Sequence, residues 1–258
     1  MTTDARDTRT ETDLLDSMEQ VLDETMDGHS RRALMARAGG LLAAGATLAV
    51  PGVAGAATSS SRSIVSVLAT FEAFGVTLLT EAAKRAPGTP SAQFAGVVKA
   101  ANITEFHHLS ALRRIGGRPL TERFWIPNAV LDGNVGLFNA IANQEEVEIS
   151  AYLVGVTEAT KRRDSKQARL FAEALGTEAE HRVLARFARA TLTGSIDVPN
   201  NRAFEAFHLQ SASSALKASE SLGIGYGKQT KAPGAFHTFP GDPRKNGTAV
   251  GITTTKPA

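Results

Sequence analysis

Two stretches of this chain carry the same polar residues at the same spacing, and that repetition limits the folds open to it more than any other feature. Glu72 precedes Glu105 by 33 residues and Glu145 precedes Glu178 by 33, and a histidine follows each second glutamate three positions later, at His108 and His181. Each stretch has its turn in the middle. The midpoint of Glu72 and Glu105 is the Gly88–Thr89 bond, inside Ala86-Pro87-Gly88-Thr89-Pro90, and that of Glu145 and Glu178 falls at Lys161-Arg162. In an antiparallel helix hairpin, residues equidistant from the turn lie at the same height. Each half therefore sets one glutamate opposite one Glu-x-x-His.

The periodicity of the apolar residues agrees with two such hairpins. Ile64, Val65, Leu68, Phe71, Phe74, Val76, Leu78 and Leu79 form a wide stripe at helical period, which predicts a first helix over Arg62–Arg85. Thr89 and Pro90 read as N-cap and first residue of a second helix that runs to about Arg114 and stops at Gly116-Gly117. The irregular linker that follows holds Pro119, Trp125 and Pro127 and reads as a crossover, since about 17 residues at about 3.3 Å each reach farther than a 25-residue helix is long. A third helix is expected over Asn134–Thr160 and a fourth from Asp164 or Ser165 to Thr191. Ala203–Leu222 reads as a short fifth helix, and residues 223–258 as a surface-hugging or disordered tail. The expected fold is all-α: a four-helix bundle with one long crossover between the second and third helices, occupying residues 57–193 between an N-terminal segment (1–56) and a C-terminal one (194–258).

The repeated glutamates fall on apolar faces. At 100° per residue, positions four, seven and eleven away stay close to one face, and around Glu72, Glu105 and Glu145 these include Leu68, Leu109 and Ile141. Glu178 has Phe171 and Ala185 but also Arg182. Glu81 and Glu146 point elsewhere, while Glu148, one turn from Glu145, stands as an extra ligand or a supporting group. Glu205-Ala-Phe-His208 is a third copy of Glu-x-x-His with no counterpart, His107 faces 100° away from His108, and His237 lies in the tail. Tyr152 reads as core packing ahead of a hydrogen-bonding partner for the site.

Four carboxylates and two imidazoles in one core need compensating charge, because burying unpaired carboxylates is costly. Two divalent cations supply it. The chain has no cysteine, so any metal must be held by N and O donors, which suits Fe or Mn. The competing reading pairs these acids with arginines, or protonates them, inside an ordinary bundle.

At these residues the chain resembles the ferritin-like proteins, which carry a glutamate on the first and third helices, Glu-x-x-His on the second and fourth, and a long crossover in between. The run Asn143-Gln-Glu-Glu-Val-Glu-Ile-Ser-Ala-Tyr152-Leu153 further resembles the third helix of exported ferritin-like domain proteins grouped near desiccation-related proteins. The resemblance spans about Ser63 to Thr191. It implies Glu72, Glu105, His108, Glu145, Glu178 and His181 as ligands of two divalent ions, Fe or Mn, in a protein that handles oxygen, peroxide or iron. A stress- or desiccation-associated structural bundle with no catalytic role is the alternative. The absence of cysteine departs from rubredoxin-type iron sites, and no compelling haem ligand supports a bacterioferritin role.

The N-terminal segment carries a different signal. Ser30-Arg31-Arg32-Ala33-Leu34-Met35 opens onto an uncharged Gly/Ala-rich stretch that ends in Pro51 and Ala54-Gly55-Ala56. This resembles a twin-arginine export signal cleaved between Ala56 and Ala57, with the translocation machinery as partner and an exported location as consequence. A transmembrane helix is the rival, weakened by the glycines, alanines and Pro51; an uncleaved signal kept as an anchor stays open. The acidic leader before the arginines reads either as an amphipathic helix or as solvated chain. Residues 57–258 hold 23 basic and 17 acidic side chains, a net +6 spread over several helices with no basic block. That distribution argues against nucleic-acid binding. A homo-oligomer is compatible with the sequence.

Overall fold

Ser63 accepts a hydrogen bond on its side chain from the Ser66 amide, and helix α1 (Ile64–Arg85) follows directly. The computed structural model describes residues 63–196, 198–205 and 208–257, so the leader, the arginine pair and the export signal expected over residues 1–56 lie outside the described residues. Among the described residues α1 is the helix long and apolar enough to cross a membrane, but most of that apolar surface is buried in the core. Leu68, Phe71, Phe74 and Leu78 are among its core side chains.

Helix α2 (Ala95–Arg114) starts later than the sequence predicts. Thr89 does not cap it: its hydroxyl donates to the Ala86 carbonyl at 2.7 Å, and Pro90–Phe94 form a 3-10 turn before α2 begins. Helix α3 (Val135–Lys161) and helix α4 (Ser165–Thr193) make the second hairpin. Asp164 caps α4 by accepting from the Gln167 amide at 3.0 Å, and Gly194, with φ +66°, supplies the left-handed residue that ends it. Within each hairpin the partners pack along their length, and the hairpins meet chiefly through α1 and α3.

The expectation of an all-α chain is corrected. The molecule is mostly helical, but it also contains a three-stranded antiparallel sheet in the order β2-β1-β3. Strand β1 (Arg123–Pro127) comes from the crossover, and β2 (Gly225–Tyr226) and β3 (Gly234–Thr238) come from the C-terminal segment. Phe124 pairs with Tyr226 on one side and His237 on the other. The physical reason lies in the crossover itself. Phe124 and Ile126 are buried against the helices, which takes their backbone amides and carbonyls out of water, and a strand on each side satisfies them. The rings of Phe74, Phe124 and Tyr226 then meet edge to face at 5.6–5.8 Å, joining helix, crossover and tail in one aromatic cluster.

The fifth helix is also shorter than expected. Helix α5 (Ala212–Ser221) starts at Ser211, where Ser211 and Ser214 form a capping box, and it packs on α3. Residues 223–257, expected as a surface-hugging or disordered tail, supply two strands and a 3-10 turn at Pro243–Asn246.

Candidate metal centre

Each long helix delivers its part of the repeated pattern to one place. Glu72 of α1, Glu105 of α2, Glu145 of α3 and Glu178 of α4 are all buried, as is His181 of α4, while His108 of α2 keeps 14% of its side chain exposed. Their ligand atoms fall into two overlapping groups, Glu72/Glu105/His108/Glu178 and Glu105/Glu145/Glu178/His181, each with all its atoms within 4.8 Å of one another. Glu105 and Glu178 belong to both groups. All six residues singled out in the sequence are thus brought together, and each half contributes a carboxylate the other half shares.

Both imidazoles present Nδ1 to the acids. His108 Nδ1 lies 2.6 Å from Glu178 Oε1 and 3.6 Å from Glu72 Oε2. His181 Nδ1 lies 2.9 Å from Glu178 Oε2, 3.0 Å from Glu105 Oε1 and 3.9 Å from Glu145 Oε1. Despite this crowding, Glu72 Oε2, both carboxylate oxygens of Glu105, His108 Nδ1, Glu145 Oε2 and Glu178 Oε1 have no hydrogen-bond partner among the described residues. Buried polar atoms left unsatisfied cost about 1–3 kcal/mol each, more when charged. Buried ligand-type atoms that converge while most of them lack a hydrogen-bond partner have the arrangement of donors around a cation. The buried Glu and His groups can hold a metal ion.

The carboxyl groups carry this strain in their protonation. Burial, and after it the charge of Glu178, raises Glu72 and Glu145 well above an ordinary glutamate, and burial followed by Glu105 raises Glu148 in the same way. Glu178 goes the other way: burial works to raise it, but His108 and then His181 outweigh burial and hold it well below the carboxylate range. Burial opposes charge on His181, yet its close approach to Glu105 and its hydrogen bond to Glu178 push it up to about 10, and His108 is raised likewise by Glu178 and Glu72.

The backbone makes room for the cluster at one position that the sequence analysis passed over. A Cβ on Gly75 would sit 2.8 Å from Glu105 Oε2, so the middle of α1 has no side chain where the shared carboxylate of α2 rests. Glycine costs a helix interior about 1 kcal/mol relative to alanine. Its place three residues after Glu72 was the available signal.

Tyr152, read as packing, also has a polar role: its buried hydroxyl donates to Glu72 Oε1, and its ring lies 6.5 Å from that of His108. Glu148 is buried and lies outside both ligand groups; it accepts from Gln144 Nε2 at 2.8 Å, and Gln144 Oε1 in turn accepts from Ser219 Oγ of α5 at 2.7 Å. Ser219 also bonds the Tyr226 hydroxyl.

The remaining candidates separate from the site. Arg182, which clouded the Glu178 face in the sequence, is buried and paired with Glu205 from the C-terminal segment. Glu205 is therefore occupied, His208 is exposed, and neither belongs to a ligand group among the described residues. Glu146 is less exposed than its face suggested, because it pairs with Arg202 at 2.8 Å. His237 sits in β3 with Nδ1 3.4 Å from Glu81, and His107 lies outside both groups. His107, with His108, lines an open polar cavity of about 340 Å³ between α2 and α4, bordered by Thr253, Thr254 and Lys256.

No protein-family model matches this chain, and neither a curated protein nor a solved structure shows significant similarity to it.

Proposed function

We propose that the chain is an exported ferritin-like protein, a four-helix bundle whose core holds two divalent ions, Fe or Mn, and which handles oxygen, peroxide or iron. The observation that carries this reading is the pair of overlapping ligand groups with unsatisfied buried donor atoms. Glu72 and His108 would hold one ion, Glu145 and His181 the other, and Glu105 and Glu178 both. Four carboxylates balance two divalent charges, and the N/O donor set suits Fe and Mn. Bound, such ions supply Lewis acidity and, where redox-active, electrons for oxygen chemistry.

The protein's own residues prepare the centre. Tyr152 fixes the orientation of Glu72, as a hydrogen bond to a ligand's free oxygen does. Glu148 retains a proton to higher pH than an ordinary glutamate, beside the centre and without being one of its ligands. The polar cavity at His108 gives hydrated ions and peroxide-sized molecules an approach, and the apolar core around the other residues excludes bulk water.

The test is to load the protein with Fe²⁺ or Mn²⁺ and follow ferrous oxidation and peroxide disproportionation. Either activity, lost in Glu178→Ala, is the expected result. Metal binding without either activity would move the protein to the structural-bundle reading. Export is a separate part of the proposal, supported by Arg31-Arg32 and the segment after them. Replacing both arginines by lysine should leave the full-length chain in the cytoplasm, and normal export of that variant would remove the twin-arginine assignment.

A further inference from the structure

The His181 side of the centre is walled unlike the His108 side. Beyond His181 lies a cavity of about 100 Å³ whose walls come from all four long helices: Leu79 of α1, Val98 and Ala101 of α2, Ile141 of α3 and Ala185 of α4. His181 is the one polar side chain among its described lining residues. The same imidazole holds Nδ1 against Glu178 and Glu105, so a single ring separates the chamber from the acid cluster. At the outer end the lining includes Val97, Leu184 and Phe187, which are 38%, 41% and 52% exposed. The chamber therefore reaches the surface through apolar side chains.

Water gains little there. An ordered water needs two to four polar partners, and apolar cavities on the order of 150 Å³ stay dry and accept benzene or xenon. A hydrocarbon placed in the chamber would gain on the order of 25 cal/mol for each Å² of apolar surface removed from water. The chamber is not a packing defect hidden in the core, because three large apolar side chains line its way out.

We propose that this chamber is a binding site for a small apolar molecule, in the size class of benzene or a short alkane, held one imidazole away from the metal centre. The position beside a reactive centre rests on the metal reading above; the apolar site itself does not. The occupant is specified by the walls: apart from the single His181 imidazole they offer no donor or acceptor to orient a sugar, peptide or anion, and their volume excludes a long acyl chain.

The experiment titrates benzene into the full chain, metal-free and Mn²⁺-loaded, and follows the methyl resonances of Val98, Ala101, Ile141 and Leu184 by NMR. Saturable shifts confined to the methyls that line the chamber are expected in the metal-free form, with no response to acetamide at equal concentration. In the Mn²⁺-loaded chain the bound benzene protons should relax much faster than in the metal-free chain, because the paramagnetic ion would lie within a few side-chain diameters. Filling the chamber with Ala101→Leu should weaken benzene binding at least about tenfold, with metal content unchanged. If that variant fails to fold, the wild-type titration still decides. Absent or non-saturable shifts in wild type overturn the proposal while leaving the metal reading intact. Normal benzene relaxation in a chain shown to carry Mn²⁺ overturns the placement beside the centre. Benzene binding to a chain that takes up no metal keeps the apolar site and removes the metal reading.

Discussion

Around Glu72 and His108 the surroundings are polar: a tyrosine hydroxyl donates to the carboxylate, and the imidazole borders a cavity lined by His107 and threonines. Around Glu145 and His181 they are not. There the imidazole borders an apolar chamber. The two halves of the chain thus repeat the ligand-type residues at one spacing and differ in what stands behind them. Spacing along a helix decides where a ligand sits, whereas the layer behind it decides what can approach and how firmly the ligand is held. Duplicated positions need not have duplicated chemistry.

The largest effect expected follows from the two carboxylates that both halves share. Glu105→Ala or Glu178→Ala should reduce bound metal from about two ions per chain to about none, because each removal takes a donor from both groups. Elemental analysis after loading and desalting checks this, and retention of one firmly bound ion in either variant would mean that the halves act separately. Gly75→Ala comes next. Its methyl would meet the Glu105 carboxylate, so metal affinity should fall by roughly 10- to 100-fold in both halves, while the metal-free chain melts no lower than wild type by more than a few degrees, helped by alanine's helix propensity. Tyr152→Phe should weaken only the Glu72/His108 half, by about tenfold. A competition titration showing two equally weakened ions would contradict that asymmetry.

Acidity gives a further test of the metal-free cluster. Glu72, Glu145 and Glu148, raised above their ordinary 4.5, keep protons in the folded state that they lose in the unfolded one. Their contribution to stability is present below pH 4.5 and is lost as pH rises. His181 continues the trend, its contribution being full below 6.5 and lost as pH rises toward about 10. Glu178 has the opposite sign, but its window lies below 4.5. The metal-free chain should therefore melt at progressively lower temperature from about pH 5 to about pH 9, whereas the stabilisation by added Mn²⁺ should grow over the same range as the ligands lose protons. Flat melting temperatures in chelator across that range would contradict the protonated cluster. The smallest effect concerns Glu146→Ala, which breaks a partly shielded pair with Arg202. It should cost about 0.5–1 kcal/mol in denaturant unfolding and leave metal binding unchanged.

The clustering of the six Glu and His residues was legible because helical geometry converts sequence spacing into a face and a height, and both rules hold within one hairpin. Interactions that cross from one part of the chain to another were not. Tyr152 lies on the face of Glu145, seven residues away, but its hydroxyl reaches Glu72 on a different helix. Arg182 shares the Glu178 face and is drawn off by Glu205, whose partner no local pattern names. The sheet was hidden for the same reason: β2 is two residues long and pairs with a strand about a hundred positions earlier. Thr89-Pro90 had the composition of a helix start, yet the threonine hydroxyl turned back to Ala86 and a 3-10 turn intervened. Gly75 alone was both local and overlooked.

The central claim is that the two halves jointly hold a pair of metal ions. It is tested most directly by measuring Fe and Mn per chain in wild type, Glu72→Ala and Glu145→Ala, each loaded with Fe²⁺ or Mn²⁺, with thermal melts alongside. About two ions are expected in wild type and about one in either variant, with metal raising the wild-type melting temperature far more than that of the variants. A wild-type chain that retains neither metal and shows no thermal shift with either ion would contradict the account.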